Sequence, residues 1–350
     1  MSLKILIRTP NHLGDCVMAL PMINEVREAY AGSTVTLLTP ENLADLFQGN
    51  PGIDAIVKIP STHIHGLLAV VKIRDIIASL GSDLGYIIPP SFGAAASFKL
   101  AGVKERIGYI ADGRRLLLTR QFPLPAPLNS QHRSITYFDL LRRSVGRDLE
   151  YTRPKLFLTE EDHLHAETLL AGFGVPADER FVTIAFRSVA ESRQWGAVHY
   201  TDLTRMLIAQ YDIKVLLMGS SDDARIGDEI VASSESKNVI NLAGKATLRE
   251  AATIISRARI FVGDDSGPAH LAAAVGTPVL VLFGAGDPAE TAPLPRFGRI
   301  VRCENLECLA CVRNKCPLKG TPHMRCMRDL TPAVVMAEIS ALAKESGNPL

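Results

Sequence analysis

The stretch from residue 260 to residue 287 reads IFVGDDSGPAHLAAAVGTPVLVLFGAGD and decides the fold. The apolar runs at its two ends, residues 260–262 and 279–283, have the length and composition of buried strands. The small residues 269–275 between them predict a short helix, and Gly276 ends it. Strand, helix and strand within so few residues indicate a parallel βαβ unit.

The start of this short helix is predicted to bind an anion. Pro268 fits the first helical turn, where its missing N–H is not needed. The remaining free N–H groups and the positive end of the helix dipole attract negative charge, and Gly267 permits close backbone approach. Asp265, Ser266 and His270 supply polar side chains, and ligands of such folds lie at the carboxyl ends of the strands. We therefore expect a phosphate-bearing ligand here; the alternative is a capped helix without a ligand, with His270 as a core or cap residue.

Bulk properties place the chain among ordinary globular proteins. Its 350 residues exceed the size at which a single core stops growing, so two domains are expected. A net charge of +1 gives no general reason to expect nucleic acid or an anionic membrane as a partner. No apolar run approaches the ~20 residues of a spanning helix, and the N-terminus enters a strand without a signal-peptide pattern. These features predict a cytoplasmic protein that at most touches a membrane surface.

The order of predicted elements indicates a doubly wound α/β architecture in two copies. Strands and helices alternate through the first part of the chain, and the pattern restarts after a linker at 146–154. We expect Rossmann-like domains at 1–155 and 156–350, facing each other across a cleft. Neither domain carries G-x-G-x-x-G after its first strand or a Walker A sequence, so a dinucleotide oxidoreductase and a P-loop NTPase have no support.

Several polar residues follow predicted strands. Asp15 lies in the first strand-to-helix loop, where spacing alone favours a helix cap over a catalytic carboxylate. Arg187 and Arg193 follow the first strand of the second domain and could clamp a diphosphate or lie as solvated surface charges. Asp222 and Asp223 follow the next strand; one could accept hydrogen bonds from ribose, and we favour a helix cap for the other.

Two clusters of residues, one basic and one rich in cysteine, each allow more than one interpretation. The segment 99–120 has a local excess of basic residues that could bind an anionic acceptor or form a solvated face; it contains Lys99, Lys104, Arg106, Arg114, Arg115 and Arg120. The C-terminal segment contains Cys303, Cys308, Cys311, Cys316 and Cys326. Clustered thiols in a cytosolic protein favour metal over disulfides, although the spacing does not match a zinc finger closely. We expect no cofactor for the reaction and keep a structural zinc in this segment as an alternative.

Taken together, the motifs resemble glycosyltransferase family 9, the ADP-heptose:lipopolysaccharide heptosyltransferases, and within it the heptosyltransferase II type. The resemblance spans nearly the whole chain and rests on KILIRTPNHLGDCVMALP, ERIGY, LLMGSSDDARIGDEI and DSGPAHLAAAVGTPVLVLFG. It implies a GT-B architecture and metal-independent, inverting transfer of heptose from ADP-heptose to the inner core of a lipid A-linked oligosaccharide. It also implies peripheral contact with the inner membrane surface.

The resemblance assigns roles by position. Asp15 matches the catalytic aspartate, the general base, and Asp265, Ser266, Gly267 and His270 match the donor site. Arg187, Arg193 and Asp222 join the donor-binding residues, and Arg106, Arg114 and Arg115 are expected to bind the acceptor. Arg193 stands where the family has a donor-contacting lysine, which exchanges a point charge for planar bidentate geometry and leaves the donor sugar open.

Two other classes of function fit the same motifs. A related GT-B enzyme, another transferase or an epimerase, would use the same helix start with a different nucleotide sugar. A non-catalytic protein that binds a nucleotide sugar or a metal would leave Asp15 without a role.

Overall fold

The computed structural model describes residues 2–64, 67–127 and 130–350. Contacts within the chain divide it into two compact units, Met1–Phe157 and Leu158–Leu350. In the described part of the chain, no helix is both long and apolar enough to cross a lipid bilayer.

The first unit is built on one parallel sheet with the strand order β3-β2-β1-β4-β5-β6. Its strands are β1 (Lys4–Arg8), β2 (Thr34–Pro40), β3 (Ala55–Ile59), β4 (Leu84–Ile87), β5 (Glu105–Ile110) and β6 (Arg120–Pro123). Its helices are α1 (Leu13–Met18), α2 (Leu20–Ala29), α3 (Leu67–Leu80), α4 (Phe92–Leu100) and α5 (Arg133–Val145).

The second unit repeats this plan with the order β12-β11-β10-β7-β8-β9, again parallel throughout. Its strands are β7 (Phe181–Ala185), β8 (Lys214–Met218), β9 (Val239–Asn241), β10 (Phe261–Asp264), β11 (Val279–Leu282) and β12 (Gly298–Val301). Its helices are α6 (Glu160–Gly172), α7 (Ala197–Tyr211), α8 (Ala224–Ser234), α9 (Leu248–Arg257), α10 (Gly267–Ala274), α11 (Pro288–Thr291), α12 (Arg325–Arg328) and α13 (Pro332–Ser346).

Both sheets follow the Rossmann order, in which the third, second and first strands precede the fourth, fifth and sixth. The direction of winding reverses between β1 and β4 in the first unit and between β7 and β10 in the second. The predicted α/β fold is confirmed: two Rossmann-like doubly wound units are what the GT-B class requires. Ligands of such sheets bind beyond the carboxyl ends of the strands that flank the reversal.

Three central strands of the second unit are buried along their whole length. Every residue of β7, β10 and β11 is buried. A parallel sheet covered on both faces by helices requires such apolar strands, which explains why the runs at 260–262 and 279–283 signalled the fold. The spacing of Thr247 and Glu250 in the sequence is that of a capping box, and the structure has one at the start of α9, because the two side chains each accept the other's backbone N–H.

Some elements differ from those that the sequence pattern indicates. The apolar spacing from residue 16 to about residue 30 predicts one helix, which Pro21 either kinks or begins; the structure has two helices, α1 and α2, with a break at Ala19 and Pro21 in the first turn of the second. Proline lacks an N–H and clashes with the preceding turn, so a new helix begins beside it. The edge strands β6 and β12 were not predicted, because each has four residues and mixed polarity.

Arg114 is a structural residue, and the prediction that it binds an acceptor is wrong. Its side chain is completely buried. The guanidinium donates from Nε to the Tyr109 carbonyl over 2.8 Å and from its other nitrogens to the carbonyls of Pro89 and Ile87. Burial lowers the pKa of Arg114 to about 10, so it stays charged at neutral pH. This cation ties the end of β5 to the end of β4.

Arg106 is bonded to backbone carbonyl groups in a similar way, and we do not include it among the residues proposed below to bind the acceptor. Its guanidinium donates from Nε to the Leu117 carbonyl over 2.7 Å and from Nη1 to the Val103 carbonyl. Arg115, next to the buried Arg114, is exposed.

The two neighbouring arginines allow a matched test of burial. We expect Arg114→Met to lower the free energy of unfolding by roughly 3 kcal/mol, because it leaves buried carbonyl groups without donors. Arg115→Met should change it by less than about 0.5 kcal/mol, as is usual for an exposed site. Urea unfolding followed by circular dichroism measures both; equal small effects would show that Arg114 does not brace the strands.

Candidate functional site

The start of α10 has the features of an anion site. Ser266 is the residue before the first helical turn, but its hydroxyl lies 3.2 Å from the Asp264 carbonyl and does not cap the helix. Pro268 occupies the first turn as expected. In the described part of the chain, Ser266 does not cap this helix with its side chain. Pro268 has no N–H and the Ala269 N–H donates to the Ser266 carbonyl over 3.2 Å, so the helix start can offer a ligand the Gly267 N–H and the positive end of its dipole.

A buried ion pair lies beside this helix start. Asp265 Oδ2 and Arg193 Nη1 are 3.0 Å apart, and the Asp265 side chain is only 2% exposed against 26% for Arg193. The chain passes so close to this carboxylate at Gly286 that any Cβ there would overlap Asp265 Oδ2. Gly286 was not singled out by our sequence reasoning, although the glycine pair in the GAGD that follows β11 was a usable signal.

The remaining predicted donor residues are distributed as follows. Arg187 Nε lies 3.3 Å from Asp223 Oδ1, and Asp223 also closes a capping box with Ser220. Asp223 is thus the capping member of its pair, while Asp222 is exposed. His270 is buried in α10, one turn beyond Gly267.

Asp264 is a second buried carboxyl at the end of β10 that the sequence analysis did not assign. Its Oδ1 accepts hydrogen bonds from the Tyr200 hydroxyl over 2.8 Å and from the Trp195 N–H over 3.1 Å. Its Oδ2 has no hydrogen-bond partner among the described residues. Burial raises the pKa of Asp264 to about 7, the neighbouring Asp265 charge adds to the rise, and the two hydrogen bonds oppose it.

In the first unit, the structure places a polar cluster around Asp15. The residue that precedes α1 is His12, so Asp15 is not the helix cap that spacing favoured. Its Oδ1 instead accepts from Arg133 Nη1 and from the Tyr137 hydroxyl, each over 3.1 Å. Arg133 and Tyr137 are four residues apart on α5 and therefore share one face of that helix.

Tyr137 is a stable donor in this cluster. Burial and the Asp15 charge raise its pKa well above the ordinary value, so the hydroxyl keeps its proton at any physiological pH. The Asp15 side chain retains 20% exposure. An oriented, solvent-accessible carboxylate in the first turn of a helix is suited to accept a proton from a substrate hydroxyl.

The cysteine-rich segment supports the donor-site loop. The backbone N–H of Ser192 donates to the Asn314 carbonyl over 3.1 Å, and its hydroxyl donates to the Arg313 carbonyl. The Val312 N–H donates to Ala285 over 2.7 Å. The segment 310–314 therefore fixes both the loop that carries Arg193 and the residues just before Gly286.

Four thiols of this segment line a cavity of about 180 Å³: Cys308, Cys311, Cys316 and Cys326. Burial raises the pKa of Cys326 to about 11, and the other thiols add to the rise. Within the described ranges, no three His, Cys, Asp or Glu side chains are arranged so that they could hold a metal ion. The structure thus gives the alternative of a zinc site in residues 303–326 no ligand geometry.

An uncapped helix start beside the reversal of a doubly wound sheet, with two arginines nearby, is the arrangement in which α/β proteins bind phosphate groups. A comparison with protein families sharpens this class. The model of glycosyltransferase family 9 (heptosyltransferase) matches residues 73–321, and the chain belongs to that family. It is therefore a glycosyltransferase, as the sequence motifs predicted.

Individual heptosyltransferases are similar to this chain over most or all of its length. The chain is 26% identical to lipopolysaccharide heptosyltransferase 2 of Salmonella typhimurium, covering 99% of this chain and 100% of that protein. It is 28% identical to lipooligosaccharide heptosyltransferase 2 of Haemophilus ducreyi, covering 86% and 88%. The solved structure of Escherichia coli ADP-heptose lps heptosyltransferase II is similar in fold, with a TM-score of 0.82 and 23% identity over 99% of this chain and 100% of that one.

The buried Asp264 carboxyl generates a pH prediction. Its pKa is raised above the ordinary 3.8, so the folded state holds the proton longer than the unfolded state, and Asp264 lowers stability as pH rises from about 4 to about 7. Asp264→Asn keeps an acceptor oxygen and cannot ionise. We expect its free energy of unfolding to match the wild type near pH 4 and to exceed it by more than about 1 kcal/mol at pH 8. Urea titrations across this range measure the difference, and a difference that does not change with pH would refute it.

Proposed function

We propose that the protein transfers heptose from ADP-heptose to the inner core of a lipid A-linked oligosaccharide, with inversion and without a metal ion. The observation that carries the proposal is the Asp15 carboxylate, held by Arg133 and Tyr137 and still accessible to solvent. Membership of the heptosyltransferase family supports the reaction class. The names of the Salmonella and Escherichia coli relatives support the acceptor and the donor.

The proposed reaction is a direct displacement at the anomeric carbon of the donor. The acceptor oxygen forms a bond to this carbon while Asp15 takes the hydroxyl proton, and the bond to the diphosphate oxygen breaks on the opposite face. ADP leaves with the electron pair. Its growing negative charge is stabilised by the Gly267 N–H, by the positive end of the α10 dipole and by the guanidinium of Arg193.

The other donor residues fit around this diphosphate in the proposal. Ser266 and His270 contribute polar groups at the helix start, and Asp265 orients Arg193 through their ion pair. Arg187 adds a second cation. Asp222, the exposed member of its pair, is placed to accept hydrogen bonds from the ribose. We assign donor binding to the domain at 156–350 and acceptor binding to the domain at 1–155.

For the acceptor we propose a basic–apolar patch, defined as Lys99, Leu100, Arg115 and Leu116. Lys99 Nζ donates to the Leu116 carbonyl over 3.4 Å, which brings the end of α4 next to the turn at 114–117. Leu116 is 86% exposed and Leu100 is 62% exposed. Cations beside exposed apolar side chains match a phosphorylated amphiphile, and the same chemistry suits peripheral contact with the cytoplasmic face of the inner membrane.

The donor is tested by turnover of purified protein with ADP-heptose, UDP-sugars and GDP-sugars in the presence of EDTA. Turnover of ADP-heptose alone, unchanged by EDTA, is the expected result. Preference for a UDP- or GDP-sugar would assign the chain to another nucleotide sugar on the same fold, and release of epimerised sugar would make it an epimerase. Tight ADP binding without turnover of any donor would contradict the proposal that the protein acts as an enzyme.

The base assignment predicts a selective loss in Asp15→Asn. A positioned general base contributes about 10²–10⁴ in rate, so we expect kcat to fall by a factor in this range. The Kd for ADP, measured by calorimetry, should stay within about 2-fold, since the amide does not change the donor site. The matched control is Asp148→Asn, a carboxylate of the same unit that is 97% exposed and should keep full activity. Near-native turnover by a folded Asp15→Asn protein would remove Asp15 from the mechanism.

The acceptor patch predicts a separate kinetic effect. Lys99→Glu combined with Arg115→Glu should raise the acceptor KM by roughly 10-fold and leave the donor KM unchanged, because charge reversal repels a phosphorylated acceptor. The control pair, Lys72→Glu with Lys237→Glu, makes the same charge change at exposed lysines elsewhere. Equal effects of the two pairs on acceptor KM would show a general charge effect and exclude the patch.

A further inference from the structure

Asp264 has no part in the reaction proposed above, yet it joins the donor site to the interior of the second unit. Its carboxyl is completely buried at the end of β10, directly before Asp265. It accepts two hydrogen bonds on one oxygen, from the backbone of Trp195 and from the hydroxyl of Tyr200. A buried carboxyl is costly to maintain, so its retention at this point needs a reason.

The reason lies in the loop from residue 187 to residue 196, between β7 and α7. Trp195 follows Arg193 by two residues in this loop. Asp265, the neighbour of Asp264, forms the ion pair with Arg193. Two consecutive residues at the end of β10 thus hold two points of one loop, one through a backbone N–H and one through a guanidinium.

Trp195 is a fixed point of the loop rather than a mobile one. Its indole Nε1–H donates to the Leu330 carbonyl over 2.7 Å. Its ring packs edge-to-face on Tyr200, with 4.9 Å between the ring centroids. The Trp195 side chain is 3% exposed. Because these contacts hold the Trp195 side chain in the core, we expect loss of the bond at its backbone N–H to shift the loop backbone without unfolding the core.

Arg193 lies between two such anchors. On its N-terminal side, Ser192 is bonded to Asn314 and Arg313 of the cysteine-rich segment. On its C-terminal side, Trp195 is bonded to Asp264. Loss of the bond to Asp264 leaves the loop held by Ser192 and by the Trp195 side chain, so the expected result is a shifted loop backbone and a displaced Arg193 in a folded protein. Displacements of about 1 Å are enough to impair a charge that must meet a bound diphosphate.

We propose that Asp264 is a positioning residue: by holding the Trp195 N–H and the Tyr200 hydroxyl, it places the Arg193 guanidinium at the start of α10 for the donor diphosphate. The inference rests on the proposed role of Arg193 in the donor site. Asp264 itself does not touch the donor. Its effect on donor binding passes through Arg193 and disappears when Arg193 is removed.

A double-mutant cycle tests this path, with the Kd of the full-length protein for ADP as the readout. In the presence of Arg193, Asp264→Ala should raise the Kd roughly 10-fold; in the Arg193→Ala background the same change should raise it by less than about 2-fold. Asp264→Asn should restore near-native affinity, because the amide oxygen accepts the same two hydrogen bonds. If Asp264 only stabilised the fold, Asp264→Ala would weaken ADP binding equally with and without Arg193.

The control for stability is Leu203→Ala. Leu203 is buried in α7, one turn beyond Tyr200, and is not bonded to Asp264. The Leu203→Ala substitution should lower the melting temperature and leave the Kd for ADP unchanged at temperatures where the protein is folded. If Asp264→Ala does not fold, Tyr200→Phe replaces it in the cycle, with an expected rise of about 3-fold that again requires Arg193.

The outcomes separate this inference from the function on which it rests. Equal weakening by Asp264→Ala with and without Arg193 would overturn the positioning role and leave the donor site intact. Native ADP affinity in Arg193→Ala alone would overturn the donor-site assignment and the positioning role together. Failure of Asp264→Asn to restore affinity would also overturn it, because the proposal requires only an acceptor at this atom.

Discussion

The ion pair between Asp265 and Arg193 is the interaction on which the second unit's candidate site depends. A carboxylate that is 2% exposed is costly to keep charged without a cation, and the pair forms where β10 ends and α10 begins. The surrounding chain accommodates it. Gly286 passes without a side chain, and the Ser188 hydroxyl donates to the Asp265 carbonyl over 3.3 Å. Strand, loop and glycine-containing turn are all arranged around one buried charge.

The fold could be predicted from the sequence to a large extent because its signals are local. The buried strands of parallel sheets are continuous apolar runs, and the helix starts carry proline or capping residues. The central strands β10 and β11 were recognised within one or two residues. The short edge strands β6 and β12 were not, because an edge strand of four mixed residues has no period to detect.

The candidate site could be predicted only in part, for a physical reason. Asp265 was singled out because it directly follows a strand, and Asp15 because it lies where the first strand passes into a helix. Arg133 and Tyr137 were missed, since they are 118 and 122 residues away from Asp15 in the chain and only folding brings them to it. Arg114 shows the opposite error: charge in the sequence suggested a binding residue, whereas the folded chain uses it to bind carbonyl groups in the core.

The unequal burial of the Asp265–Arg193 pair decides how the pair can serve a ligand. The carboxylate is enclosed, while a quarter of the arginine side chain remains exposed. A guanidinium has five N–H donors in a planar fork, so the contact of one nitrogen with Asp265 holds the cation in place and leaves other donors for a diphosphate. A lysine at this position would offer one ammonium group to both partners and could be drawn to the carboxylate. The planar cation therefore suits a site in which one acid must orient the charge and a second anion must receive it.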